Sequence, residues 1–533
     1  MINPEIQELL DSIKNYSHPD YLIAEEHEPL ISVGEIVSRA ARYYEKARYS
    51  VDYHEDHLLR QTAIERILRR RLTIDFIEER NGRAFVVELI QSGYLPNNEL
   101  PERVTYHVQA VIDKTVFFLS ILKKIYPHEK YAEFRPIVLK LATCEIEALL
   151  FPEIVESVVV KAFHKKIKKF ILISNPEKCG CDVGIQVYLA CRKGLLKEND
   201  TSSFYSLWLM LYPEWKELNN ATEENDERLK QIAEEFLTIE GNIQRELSSI
   251  LYHRIIPRLK NDIIYFSIIQ KIVAEHKERS AEIFTSPESL YFATSDKAEV
   301  EYEKIRARMH KTAWQAIIYI FITKILLALA VELPYDKMVY GSIHTLPLIV
   351  NATFHPFLLY LMTSRIKKPS DTNTERIAKG VRAAVYDNNH DDIKLASVKE
   401  KSTLQWIATF LYICFFFATF GAIIWGLNKI QFNIIGMGLF ILFLTFVSYF
   451  GLRVRFISQR WVVQTNEQHF FALVWDLITL PVISLGQWLS IKFQSINIFV
   501  FVLDFIIEAP FKVILQALDT FTHYVKEKKD EIY

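Results

Sequence analysis

Lys324 stands in the middle of an apolar run, residues 314–333, between Thr323 and Ile325. Asp476 falls inside a later apolar run, and Asp504 and Glu508 inside the last. A lone charge at the centre of a helix in lipid costs about 2.5–3.5 kcal/mol on insertion scales, so each of these groups must face protein or water and hold a partner. Counted inward from the helix ends, Lys324, Asp476 and Asp504 share a level, and a pairing of Lys324 with Asp476 or Asp504 is expected. A packing bridge that fixes helix order is the first reading of such a pair, and a proton or ion relay the second. Asp504, Glu508, Lys512, Gln516 and Thr520 recur every four residues as one polar stripe, interrupted by a kink at Pro510. Two carboxylates one turn apart suit general acid/base work on a lipid only where burial separates their pKa values. Lys512, one turn further on, favours an ion-paired stripe. In the run 346–363, Asn351, Thr353, His355 and Pro356 break the apolar character, and Pro356 removes a backbone donor.

Outside the apolar runs the chemistry is thinner. His54-Glu55-Asp56-His57 sets two imidazoles three apart on one helix face. A metal would need further ligands from a second helix, and no matching Glu-x-x-His recurs. Cys179-Gly180-Cys181, with Cys191 and His164, offers three thiolates and an imidazole, but structural zinc prefers ligand pairs two to four apart. A solvated face and a small buried thiol on a helix are the expected readings, with no metal and no cofactor. Arg66, Arg69, Arg70 and Arg71 have Glu65, Asp75, Glu78 and Glu79 nearby to neutralise them. Lys165, Lys166, Lys168 and Lys169 are the better candidate for a surface toward anionic lipid or a partner. The chain has no Gly-x-x-x-x-Gly-Lys-Ser/Thr, Gly-x-Gly-x-x-Gly, His-Glu-x-x-His or Gly-x-Ser-x-Gly, which lowers the expectation of a pump, a kinase or a standard hydrolase.

The elements that would position these groups follow from composition. Among 533 residues, 50% are hydrophobic and 24% charged, which excludes a disordered chain. Only 15 Gly and 18 Pro leave too few turns for a sandwich or barrel, so helices are expected. A net charge of −2 argues against bulk binding to nucleic acid, and five cysteines are too few for a secreted framework. From Trp314 onward there are 20 basic and 16 acidic residues, net +4, leaving 43 and 49, net −6, for residues 1–313. The division predicts two domains, a soluble helical one over 1–313 and a membrane one over 314–533.

Six apolar runs approach the roughly 20 residues that a bilayer demands: 314–333, 346–363, 406–427, 432–452, 470–489 and 496–518. The last two carry acids and proline and suit the interface or a re-entrant path as well as a full span. Basic residues divide fifteen to three between alternate loops, with nine in the loop 364–404 and three in the tail. That bias puts the loop, the tail and both termini in the cytoplasm. Residues 1–30 have no apolar stretch of the signal-peptide kind.

In residues 1–313 helical spacing covers 33–80, 104–125, 131–150, 154–170, 223–236, 239–252 and 262–276, and residues 297–313 lead into the first apolar run. The predicted fold is all-α, a soluble bundle followed by a polytopic helical membrane domain. The stretches from Thr323-Lys324 through Glu332-Leu333-Pro334-Tyr335-Asp336 and from Val502 to Lys512 resemble uncharacterised helical membrane proteins of small-genome bacteria, as does His57-Leu58-Leu59-Arg60 with Ala63–Leu68. The resemblance implies a bacterial inner membrane and transfers no catalytic residue. Three functions fit: a membrane-tethered interaction scaffold whose 1–313 domain meets protein or lipid, a transporter or channel using Lys324, Asp476, Asp504 and Glu508, and a lipid-modifying enzyme, in that order.

Overall fold

The computed structural model describes residues 2–15, 19–25, 28–33, 56–74, 82–175, 180–219, 222–339, 341, 345–364, 368–387, 391–396, 403–463 and 470–495. The described residues are 83% helix and 2% strand, so the predicted all-helical class holds. The first core is built from α1 (Pro4–Lys14), α2 (Asp56–Ile74), α3 (Gly82–Gln91), α4 (Val104–Ile125), α5 (His128–Leu150), α6 (Ile154–Lys168), α7 (Val183–Leu196), α8 (Asp200–Leu211), α9 (Glu223–Ser248), the short α10 (Leu251–Ile255), α11 (Lys260–His276) and the short α12 (Ser280–Thr285). Side-chain caps set several starts. Asn3 accepts from Glu5 N, Asn199 from Ser202 N, and Thr222 from Asn225 N ahead of three acids in the first turn of α9. The two helices expected over 223–252 are one helix to Ser248, with Gly241 inside it, followed by α10.

Ser286 caps α13 (Pro287–Leu327), a 41-residue helix that spans about 60 Å at 1.5 Å per residue. Its first half belongs to the first core through Leu290, Ala298 and Tyr302. Its second half is apolar and passes through a π-helical turn, Ala328–Glu332, into α14 (Leu333–Val339). Then come α15 (Thr345–Ser364), α16 (Asp371–Tyr386), α17 (Thr403–Lys429), α18 (Ile434–Ser458) and α19 (Phe470–Ser495). Four of the described helical stretches are long and apolar enough to cross a membrane: Pro287–Val339, Thr345–Ser364, Thr409–Lys429 and Ile434–Trp461. They match the first four runs expected. The fifth run is helical in α19; the sixth, 496–518, and the tail lie outside the described residues.

The segment between the second and third apolar helices, expected as a loop over 364–404, is a working part of the first core. Ile377, Val381 and Val385 of α16 are buried there, as are Ile393 and Leu395 of β2 (Ile393–Ala396). β2 pairs in parallel with β1 (Ile171–Ser174), Ile171 opposite Ile393 and Ser174 opposite Ala396. Lys166 closes the C-terminal end of α16: its buried ammonium donates to Ala384 O at 2.7 Å and to Asp387 O at 2.9 Å, the carbonyls a helix end leaves unpaired. Asn3 N donates to Val385 O at 2.8 Å and Tyr386 Oη to Phe284 O at 2.7 Å.

Asn373 is the joint. Its Nδ2 donates to Tyr302 Oη and to Trp461 O, both at 2.8 Å, and its Oδ1 accepts from Val463 N at 2.9 Å. One buried amide thus ties α13, α16 and the chain leaving α18. Both apolar hairpins start from and return to the first core. Among the apolar helices themselves, backbones meet closely: a Cβ on Gly486 of α19 would lie 2.2 Å from Thr445 O of α18, so this contact tolerates only glycine.

Candidate functional site

The most concentrated polar chemistry in the apolar helices lies between α13, the π turn and α15. Lys324, Asn351 and Glu332 are 1%, 1% and 3% exposed. Lys324 Nζ donates to Asn351 Oδ1 at 2.5 Å, and Asn351 Nδ2 donates to a Glu332 carboxylate oxygen. Both ends of the amide are used, its oxygen toward the cation and its nitrogen toward the anion. The Lys324 ammonium also stands 4.2 Å from the centre of the Phe443 ring on α18. One turn along α15, His355 is fully buried, with Nε2 3.0 Å from Phe440 O of α18 and Nδ1 3.2 Å from Asn351 O. Both carbonyls only accept, so a neutral His355 ring donates to one of them, across to α18 or back along α15. At the far end of the helices, Asn433 caps α18 through its oxygen and donates from Nδ2 to Asp336 Oδ1 at 2.5 Å.

The partner expected for Lys324 was an acid of the fifth or sixth run. The structure places Asn351 and, through it, Glu332 there. Asp476 lies on α19, but its side chain is not among those described; Asp504, Glu508 and Lys512 lie outside the described residues. Glu332 was the residue missed. Its signal is in the sequence: 324, 328, 332 and 336 recur every four residues, as 504, 508 and 512 do, and so share one helix face.

The four lysines at the C-terminal end of α6 and its cap separate. Lys166 is buried on the end of α16, Lys165 pairs with Glu8 at 2.6 Å, and Lys169 pairs with Glu5. Lys168 is exposed beside Gly184. Of the arginines, Arg69 pairs with Glu65 as expected, whereas Arg70 and Arg71 meet Glu88 of α3. His54, Glu55 and Cys179 lie outside the described residues. Cys191 is fully buried on α7, its thiol pushed up by burial. Among the described residues no group of three or more His, Cys, Asp or Glu has the geometry to hold a metal.

Two buried polar networks in the first core had no local sequence signal. Lys114 Nζ donates to Glu145 at 2.7 Å and to Trp215 O at 2.8 Å, and Trp215 Nε1 closes the ring on Glu145 at 2.9 Å. Glu147, two residues on and turned to another face of α5, lies 3.6 Å from Arg60 Nε. Burial pushes its carboxyl up to about 7, against the opposing pull of Gln61 and Arg60. No protein-family model, curated protein or solved structure matches this chain.

Two outcomes follow from these contacts. Lys324→Met strands a buried carboxylate and is expected to destabilise the protein by about 3–5 kcal/mol, while Lys324→Met/Glu332→Gln regains most of that loss; thermal melting of the four species in detergent measures the coupling. Glu147 holds its proton more tightly folded than unfolded, so between pH 4.5 and about 7 the folded state binds more protons and stability falls as pH rises. Melting temperature measured across that window should fall less steeply for Glu147→Gln than for the native protein.

Proposed function

We propose that the chain is a multi-pass membrane protein whose helical body, completed by residues 371–387, 393–396 and 461–463, is fixed against the cytoplasmic face and acts as a membrane-anchored scaffold for a partner. The observation that carries this reading is the joint at Asn373, where the extension of the first apolar helix, the segment after the second and the segment after the fourth converge. A body attached by a flexible linker needs none of these contacts. The fifteen-to-three division of basic residues supports the cytoplasmic side. Aromatic residues support two interface levels: Trp406 and Trp425 of α17 are 75% and 67% exposed and stand about 28 Å apart along the helix axis, close to the roughly 30 Å hydrocarbon core.

The transport reading draws on the buried Lys324–Asn351–Glu332 chain. An amide between a donor and an acceptor orients and neutralises both charges, but it does not hand a proton across, since that requires its high-energy imidic acid form. The chain therefore favours a lock that fixes α13 against α15 in hydrocarbon. Exposed apolar side chains on the body, Ile250 at 72% and Phe292 at 71%, offer positions for a partner.

Photo-crosslinking amino acids placed at Ile250 and Phe292 of the full-length chain in its native membrane test the scaffold. One recurrent protein adduct is expected, and proteoliposomes of the purified chain should show no ion flux that Lys324→Met abolishes. Absence of any adduct together with Lys324-dependent flux would replace the scaffold with the transport reading.

A further inference from the structure

Of the four lysines at the end of α6, Lys166 is buried and Lys165 and Lys169 are paired with acids of α1, but a different set of cations stands where the first two apolar helices leave the body. Lys304, Arg306, Arg308, His310 and Lys311 follow one another on α13, and no acid occurs between Glu303 and Glu332. Positions 304, 308, 311 and 314 share one face of the helix. Tyr302, Met309 and Ala313 point the other way and are buried. The cations are not equivalent. Lys304 pairs with Glu301 at 3.3 Å, and Glu303 stands 3.9 Å from both Arg306 and Lys368. Arg308 and Lys311 are exposed and have no acidic partner among the described residues.

One turn beyond Lys311, the Trp314 ring lies 6.5 Å from that of Tyr360 on α15. The two rings are 56% and 47% exposed, on the face that carries Arg308 and Lys311. Amphipathic rings of this kind settle at the headgroup level, apolar body inward and polar edge outward. Arg308 lies about 9 Å above Trp314 along the axis and Lys311 about 4.5 Å above it, the depth at which phosphate groups begin. A guanidinium can take two phosphate oxygens at once, and an ammonium adds a point charge beside it.

We propose that Arg308 and Lys311, with Trp314 and Tyr360 beneath them, form a binding site for the phosphate of an anionic phospholipid. Glu303 holds Arg306 and Lys368 at the flank of the site. The proposal rests on the membrane reading above and names one ligand of that surface. Exposed cations without acidic partners cost nothing in water, but placed beside an aromatic pair at the end of two apolar helices they meet the one anion always present there.

The full-length chain in detergent micelles is titrated with phosphatidylglycerol or phosphatidylcholine, and bound lipid is counted by native mass spectrometry. Phosphatidylglycerol is expected to bind at least about tenfold more tightly, and added salt to weaken it alone. Arg308→Gln/Lys311→Gln should lower its affinity by about 30-fold, at roughly fivefold per cation, and leave phosphatidylcholine unchanged. Lys130→Gln/Lys230→Gln, removing two exposed cations of the body, should change neither. Equal affinities of the native chain for the two lipids, full retention by the first variant, or displacement of the lipid by inorganic phosphate alone would overturn the site. The salt response and lipid preference of the native chain decide the matter even if that variant does not fold. A chain that stays monodisperse without detergent would instead overturn the membrane reading on which the site stands.

Discussion

A buried amide that uses both its ends, Asn373, is the constraint on which the architecture depends. It accepts one backbone N–H, donates to one backbone carbonyl and to one tyrosine hydroxyl, and these belong to segments 71, 88 and 90 residues away. A buried polar group left without a bond costs about 1–3 kcal/mol, and Asn373 satisfies a backbone N–H and a carbonyl of that kind at Val463 and Trp461. Neither α13 nor the chain leaving α18 can part from α16 without breaking a bond to this amide. Lys166 on the end of α16 and the β1–β2 pair act in the same sense. A fragment ending at residue 313 lacks α16 and β2, and so leaves Lys166, Asn3 and β1 with their partners removed.

Within the apolar helices the same logic is met with fewer groups. Hydrophobic burial cannot drive helices together where the surroundings are as apolar as leucine, so close backbone approach and polar contacts must do it. Gly486 against Thr445, His355 against Phe440 O and Lys324 with Asn351 and Glu332 are such contacts. They run through α13, α15, α18 and α19. By contrast only 6% of the apolar stretch of α17 is buried, which leaves that helix with most of its surface toward the surroundings.

Periodicity made the helices legible, because each has to bury a face at 3.6-residue spacing. Val104–Ile125 is read to its terminal residues. The first four apolar runs were legible from length and composition alone. What stayed hidden depends on contacts between residues far apart in sequence. Nothing local in residues 364–404 says that Ile377, Val381 and Ile393 complete a core begun at Ile6, since the segment is polar on average and its apolar face is short. Glu147 with Arg60, and Lys114 with Glu145, are spread over three helices. Lys324 is legible from its position, but its direct partner is an amide on α15, and the acid beyond that amide lies two turns along from Lys324 itself rather than on a later apolar run. The lysines of α6 stood out as a run because sequence shows charge and conceals the acids and carbonyls that meet it.

The most direct test of the whole account is the sidedness of single cysteines in a background lacking the native ones. In sealed proteoliposomes, an impermeant maleimide should reach Lys337→Cys and Ile430→Cys from one side and Lys130→Cys and Asp371→Cys from the other. Labelling of Lys337→Cys and Lys130→Cys from the same side would contradict it, because the first hairpin would then not cross the bilayer at all.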